Sequence, residues 1–275
     1  MEEYKLISFG DLDGTLLSDS KEISERNRKA LKTFKDKGHL FVPCSGRYSS
    51  FILKKISDLD VSEYIISDNG ALVYNYLTKE KIYASSLDKD KLKLLLDFAD
   101  EHKIGVVLNS FEKRFRNIHC DNTSIENIIS LEDFKKFDDD IYQAVFITKN
   151  YDLALSLEEE INKHPEYKIN YKSLNLLVKT SSLKEFVFDI NNQEVSKGRG
   201  VKELLDYLNI SKDNAIAIGD HYNDIPMFNE VGIRVAMANA YGILREKADL
   251  ITDTNEDDGV AKILMAILKT IEKKS

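Results

Sequence analysis

The stretch Lys5-Leu6-Ile7-Ser8-Phe9-Gly10-Asp11-Leu12-Asp13-Gly14-Thr15-Leu16 decides how the rest of the chain is read. Lys5 to Phe9 predicts a short buried strand, and it stops at a polar, glycine-containing turn carrying two aspartates. The same pattern recurs downstream. Ser24 to Lys37 has Ala30, Leu31 and Phe34 at helical spacing, with Ser24 placed to cap the helix and Gly38 to end it. His39 to Cys44 predicts a second strand, ending at Ser45-Gly46-Arg47. A helix over Ser49 to Ser57 and a strand over Tyr64 to Ile66 follow, closing on Ser67-Asp68-Asn69-Gly70. Strand and helix alternate, which predicts a parallel sheet with helices on its faces.

The C-terminal third repeats this grammar. Ser196-Lys197-Gly198 opens a helix over Val201 to Leu208, and Ala215 to Ile218 is a buried strand ending at Gly219-Asp220. Ile225 to Asn229 is helical, Ile233 to Ala236 is a strand, and Asp258 to Ile271 is a closing amphipathic helix. Between the two halves, from about Ile82 to Phe188, the helices Lys89 to His102 and Asp152 to Lys163 mix with alternating strands such as Ile141 to Thr148 and Phe186 to Ile190. A segment this long carries its own structure. The expected fold class is α/β, a Rossmann-like parallel-sheet core (1–82 and 189–275) with an inserted α+β cap domain (83–188).

Composition narrows the function. In 275 residues, 43% are hydrophobic and 31% charged, and the 13 Phe and 13 Tyr are far too many for a disordered chain. No apolar run approaches the roughly 18 residues of a membrane span, and the start resembles neither a signal nor a transit peptide, so no membrane association and a cytoplasmic location are expected. A net charge of −8 argues against nucleic acid as a partner but leaves room for a small anionic substrate, because a bound cation reverses the local field. Cys44 and Cys120 lie far apart, which excludes a disulfide framework or a cysteine zinc site. No coiled coil is legible, and a monomer or weak homodimer is expected.

Open α/β sheets bind ligands at the carboxyl edge of their strands. The polar residues assigned to that edge are Asp11, Asp13, Thr15, Ser45, Asn69, Lys197, Asp220, Asn223 and Asp224. Four carboxylates gathered there repel one another unless a cation lies among them, and hard oxygen ligands suit Mg²⁺. A lysine and hydroxyls beside them suit phosphate oxygens. One carboxylate can then act as nucleophile and another as general acid and base.

Asp11-Leu12-Asp13-Gly14-Thr15-Leu16 resembles the first motif of the haloacid dehalogenase-like phosphohydrolase superfamily. Ser45 resembles its second, Lys197 its third, and Gly219-Asp220-His221-Tyr222-Asn223-Asp224 its fourth. Ser67-Asp68-Asn69-Gly70-Ala71, Val195-Ser196-Lys197-Gly198 and Asp258-Gly259-Val260-Ala261 are similar to the Cof-type subfamily, which inserts a class IIB cap between motifs two and three. The resemblance implies a Mg²⁺-dependent phosphatase of small phosphorylated metabolites, sugar phosphates or cofactor-type esters, working through an aspartyl-phosphate. A phosphomutase-type phosphotransferase and a non-catalytic phosphate-ligand sensor are the alternatives, and the presence of Asp11, Asp13 and Asp220 argues against the sensor.

The resemblance also implies roles. Asp11 is the nucleophile and a metal ligand, and Asp13 is the acid and base, lending the metal its backbone carbonyl. Asp220 is the second carboxylate ligand, and Asp224 binds directly or through water. Thr15, Ser45, Gly46 and Asn223 hold the phosphoryl group, and Lys197 offsets charge. The role of Asp13 requires a proton near neutral pH, and neighbouring carboxylates with partial burial are expected to raise its pKa. Arg47 reads as a solvated charge and Cys44 as strand packing. In the cap, Lys113-Arg114-Phe115-Arg116 and His119 form a basic cluster that reads first as an ordinary solvated strand face; the alternative is that one of these side chains reaches the non-reacting end of the substrate when the cap closes. Gly10 and Ala238 depart from the family pattern, where a bulkier residue and a glycine are usual.

Overall fold

The computed structural model describes residues 6–273 apart from 60, 112, 123, 135 and 173–184, so Lys5 of the expected first strand lies outside the described residues. The chain divides into two compact units, Met1–Tyr83 with Ser196–Ser275, and Ala84–Val195. The first unit opens with β1 (Ile7–Gly10), α1 (Glu25–Asp36), β2 (Leu40–Pro43), α2 (Ser49–Ile56), β3 (Tyr64–Ser67), β4 (Leu72–Asn75) and β5 (Lys81–Ala84). Ser24 caps α1 by accepting the Asn27 N–H at 3.0 Å, an interaction worth about 1 kcal/mol. The buried face of α1 is Ala30, Leu31 and Phe34, as their spacing predicts.

The second unit holds α3 (Lys89–Glu101), β6 (Gly105–Asn109), β7 (Arg114–Arg116), α4 (Leu131–Phe134), β8 (Gln143–Thr148), α5 (Tyr151–Asn162), β9 (Tyr167–Lys172) and β10 (Phe186–Asn192). Its strands form one sheet in the order β7-β6-β8-β10-β9 with antiparallel pairing. Alternate residues of the central strands (Val106, Leu108, Ala144, Phe146, Phe188, Ile190) join Leu92, Leu95 and Leu157 in a single core. Period-two alternation is what a sheet covered on one face requires. The chain does not return to the core at 189 as expected. Asp189 to Asn192 stay in β10, paired with β8 and β9, and the division falls at Val195.

The first unit resumes with α6 (Lys197–Leu208), β11 (Ala215–Gly219), α7 (Ile225–Phe228), β12 (Ile233–Ala236), α8 (Gly242–Lys247), β13 (Leu250–Ile251) and α9 (Gly259–Glu272). Ser196 caps α6 through the Arg199 N–H at 3.1 Å, so the helix starts four residues before the expected Val201 and Lys197 sits in its first turn. The core sheet is parallel, ordered β13-β12-β11-β1-β2. Its central strands are apolar on both faces, with Ile7, Phe9, Ile216, Ile218 and Val42 fully buried, as a parallel sheet inside helical layers demands. A single parallel bridge from Cys44 to Ile66 carries the layer on to β3, which continues as the antiparallel β3-β4-β5 sheet.

Candidate active site

Register places the motif ends together. Gly10 lies opposite Ile218 of β11 on one side and Pro43 of β2 on the other, so the chain leaves all three strands along one line. Asp11 follows β1 and donates its backbone N–H to the Ile218 carbonyl at 3.0 Å. Gly10, the departure from the family pattern, is explained by its neighbour: the Phe41 ring occupies the space a Cβ would need. Gly14 has φ of +77°, and a Cβ there would collide with the Asp220 carboxylate. The turn thus needs glycine twice over, for its left-handed backbone and for the approach of Asp220.

Lys197 is 1% exposed. Its Nζ lies 2.7 Å from Asp11 Oδ1 and 2.6 Å from Asp224 Oδ1. Asp224 is fully buried, and its other oxygen accepts the Asp220 and His221 backbone N–H groups, each at 3.0 Å. Asp220 accepts the Thr15 hydroxyl at 2.8 Å. One oxygen from each of Asp11, Asp220 and Asp224 lies within 4.8 Å of the others. Three carboxylates therefore gather round one buried ammonium that pairs directly with Asp11 and Asp224, and the imbalance shows in the titration of Asp11 and Asp220. Burial pushes Asp11 well above the ordinary carboxylate range; Lys197 opposes it, and Asp224 and Asp220 add to it. Burial and then Asp224 push Asp220 up to about 7, against the Thr15 hydrogen bond and Lys197. Burial would strip the Lys197 proton, but Asp11 and Asp224 outweigh it and raise the ammonium's pKa.

Asp13 differs from expectation. Its near neighbours in space are cations: Arg47 donates to both its oxygens at 2.7 and 3.1 Å, and Lys21 Nζ stands 2.6 Å from Oδ1. Burial raises its pKa, but Arg47 and Lys21 together hold it down to about 2. Arg47 is accordingly a site residue, with its guanidinium also 5.0 Å from the centre of the Phe51 ring. Its position directly after Ser45-Gly46 was the available signal. Lys21, in an exposed turn, had none.

The remaining residues fall as follows. Ser45 is buried, receives the Arg47 N–H on its hydroxyl at 3.2 Å, and donates its own N–H to Ile66. Gly46 lies against Asn69, and Asn69 accepts from the Asn223 amide at 3.3 Å. Asn223 is thus joined to the Ser67–Gly70 turn rather than to Lys197. The Asn239 amide donates to the Gly14 carbonyl at 2.8 Å and braces the turn that carries Asp11 and Asp13; Ala238, the second departure, donates its N–H to Asp253 at 3.3 Å. His221 is half-buried against Tyr222 and Tyr241, with ring centres 4.0 and 4.7 Å away. Cys44 is fully buried, which pushes its thiol up and away from nucleophilic use. In the second unit the basic cluster is engaged locally. Arg116 donates to the Ile125 and Cys120 carbonyls, Arg114 to Asn109, and His119 pairs with Asp100.

Residues 8–264 match the family described as haloacid dehalogenase-like hydrolase. Among curated proteins, the chain is 30% identical to the 5-amino-6-(5-phospho-D-ribitylamino)uracil phosphatase YcsE of Bacillus subtilis, over 95% of each chain. It is 32% identical to the putative phosphatase YxeH of the same organism, over 94% of this chain and 96% of that one. Among solved structures, a haloacid dehalogenase-like hydrolase from Bacteroides thetaiotaomicron superposes with a TM-score of 0.82 at 26% identity, covering 96% of this chain and all of the other.

Proposed function

The chain belongs to the haloacid dehalogenase-like hydrolase family and is a phosphatase, and on that footing we propose that it hydrolyses small phosphorylated metabolites with Mg²⁺ through a phosphoryl group carried on Asp11. The observation behind this reading is the convergence of Asp11, Asp220 and Asp224 on one point, with Lys197 bridging Asp11 and Asp224. Three carboxylates with a single buried ammonium leave an excess of negative charge that a hard divalent cation would offset. The donor set is all oxygen and fits Mg²⁺. Asp11 and Asp220 would hold the ion by their carboxylates and Asp13 by its backbone carbonyl. Asp224, whose oxygens already serve Lys197 and two N–H groups, would reach it through water. Bound there, the ion would supply positive charge to the phosphoryl oxygens.

The protein's own groups account for the bond changes. A carboxylate oxygen of Asp11 bonds to phosphorus as the bond from phosphorus to the ester oxygen breaks, and Asp13 gives its proton to that departing oxygen. Asp13, left as a carboxylate, then takes a proton from the water that attacks the phosphorylated Asp11. Phosphate leaves and Asp11 is regenerated. The Arg47 and Lys21 pair favours the ionised form of Asp13 that the second half needs. In the first half, the dianionic phosphate of the substrate opposes those cations and draws the proton on. Lys197 neutralises charge between nucleophile and phosphate, and Ser45 with Thr15 would orient phosphate oxygens.

Relatives whose names give a phosphoribitylamino-uracil substrate make phosphorylated polyols and sugars the first class to test. The test is phosphate release from a panel of such esters with Mg²⁺ and with EDTA, ranked by kcat/KM, without any bisphosphate activator. Release that depends on Mg²⁺ supports the proposal. Release that survives EDTA removes the metal, and release only with the activator makes the protein a mutase.

A further inference from the structure

Lys21 belongs to no motif, yet it is held in a costly conformation with its ammonium against the acid–base carboxylate. Its φ is +64°, a left-handed backbone that a residue other than glycine adopts at a cost of about 1 kcal/mol or more and keeps only where surroundings enforce it. Here they do. The Lys21 N–H donates to the Ser18 carbonyl at 2.9 Å, and the Ser18 N–H to Glu22 at 3.0 Å. The Ser18 hydroxyl donates to the Glu22 carbonyl and accepts the Glu22 N–H. From behind, the Asn255 amide donates to the Leu17 carbonyl and the Asp19 carboxylate, both at 3.1 Å. The turn is therefore fixed before the side chain leaves it. Lys21 Nζ then stands 2.6 Å from Asp13 Oδ1, on the carboxylate that Arg47 holds through both oxygens.

We propose that Lys21 is a positioning residue: with Arg47 it locks the Asp13 carboxyl in the one orientation from which a proton reaches the departing ester oxygen. An exposed ion pair adds little to stability, and Lys21 has 45% of its side chain exposed, so the strained turn is not explained by folding energy. Orientation of a catalytic group is worth far more, since small misplacements cost up to about a hundredfold in rate. The inference rests on the acid–base reading of Asp13 given above.

The test compares kcat/KM for an alkyl phosphate, whose alkoxide needs a proton to leave, with that for 4-nitrophenyl phosphate, whose phenolate departs without one. Lys21→Met should slow the alkyl ester about tenfold or more, leave the nitrophenyl ester within about threefold, and be rescued by Lys21→Arg. Equal losses on both substrates, or no loss on either, would overturn the proposal. Asp13→Asn is the control. If it fails to discriminate between the two esters, the acid–base reading falls and the proposal with it. If Asp13→Asn discriminates and Lys21→Met does not, only the role of Lys21 is lost.

Discussion

Lys197 Nζ stands 2.6 Å from Asp224 Oδ1, and the pair is sealed from solvent, with side-chain exposures of 1% and 0%. A buried ammonium survives only because Asp224 and Asp11 both face it. The pair sets the charge of the site and the stability of the edge at once.

Removal of Lys197 should therefore unfold the protein more easily as well as silence it. Lys197→Met leaves two buried carboxylates without their partner, a change that typically costs about 3–5 kcal/mol. Urea unfolding in EDTA at pH 8 should show that loss. At pH 5 the loss should shrink, because Asp11 and Asp220, already raised, take up protons.

Asp11→Asn should lower turnover by about 10⁴-fold or more, the scale on which loss of a nucleophile acts. Its melting temperature in EDTA above pH 7 should equal or exceed that of the wild type, since a repelling buried charge is gone. Retained turnover, or a variant that fails to fold, would count against Asp11 as a nucleophile placed at a cost in stability.

A proton and the proposed Mg²⁺ would compete at this edge, and the direction is definite. Asp220 titrates at about 7 in the folded chain against an ordinary 3.8. Between those values the folded state holds a proton that the unfolded state has released, so metal-free stability falls as pH rises through this window. Mg²⁺ held by these carboxylates would have to displace that proton, and Asp11, raised in the same direction, adds to the competition, so the affinity should drop about tenfold or more per pH unit below 7. Calorimetric titrations from pH 5 to pH 8 measure both the affinity and the protons released. An affinity flat across that range would contradict the assignment.

Thr15→Val removes the hydroxyl that donates to Asp220 at 2.8 Å. The expected stability loss is about 1 kcal/mol. Without this donor Asp220 should titrate above its present value, and the Mg²⁺ affinity curve should move to higher pH. A pH profile identical to the wild type would show that the hydroxyl does not tune Asp220.

Much of the edge was legible because each motif ends a run of consecutive apolar residues, and such runs have little choice but a buried strand. Asp11, Ser45 and Asp220 inherit their meeting place from that register. The parallel core followed from the same runs alternating with helices, while the haloacid dehalogenase-like resemblance rested on the motif residues themselves, Asp11 to Leu16, Ser45, Lys197 and Gly219 to Asp224. Three features were not legible, for separate reasons. The body of α6 was placed from Val201, after its opening Ser196-Lys197-Gly198, because Gly198 and Gly200 weaken a helix; in the fold both glycines are buried within it, with Gly198 packed against Pro226. The environment of Asp13 was assigned the wrong sign because the carboxylates expected at the same sheet edge were counted, while its cationic partner Arg47, 34 positions away, was not. The short antiparallel strands β4 and β5 carry too few residues for a period to show.

The empty side of Gly10 is filled by the ring of Phe41, which makes the two positions exchange partners. Enlarging residue 10 alone must push the first strand from the second, and shrinking Phe41 alone must open a hole beside Gly10, directly before Asp11. The double change Gly10→Val with Phe41→Ala should be tolerated better than the sum of its halves. A relative with a bulkier residue in place of Gly10 is accordingly expected to carry a smaller one across from it, a swap of volume between strands that leaves Asp11 where it stands.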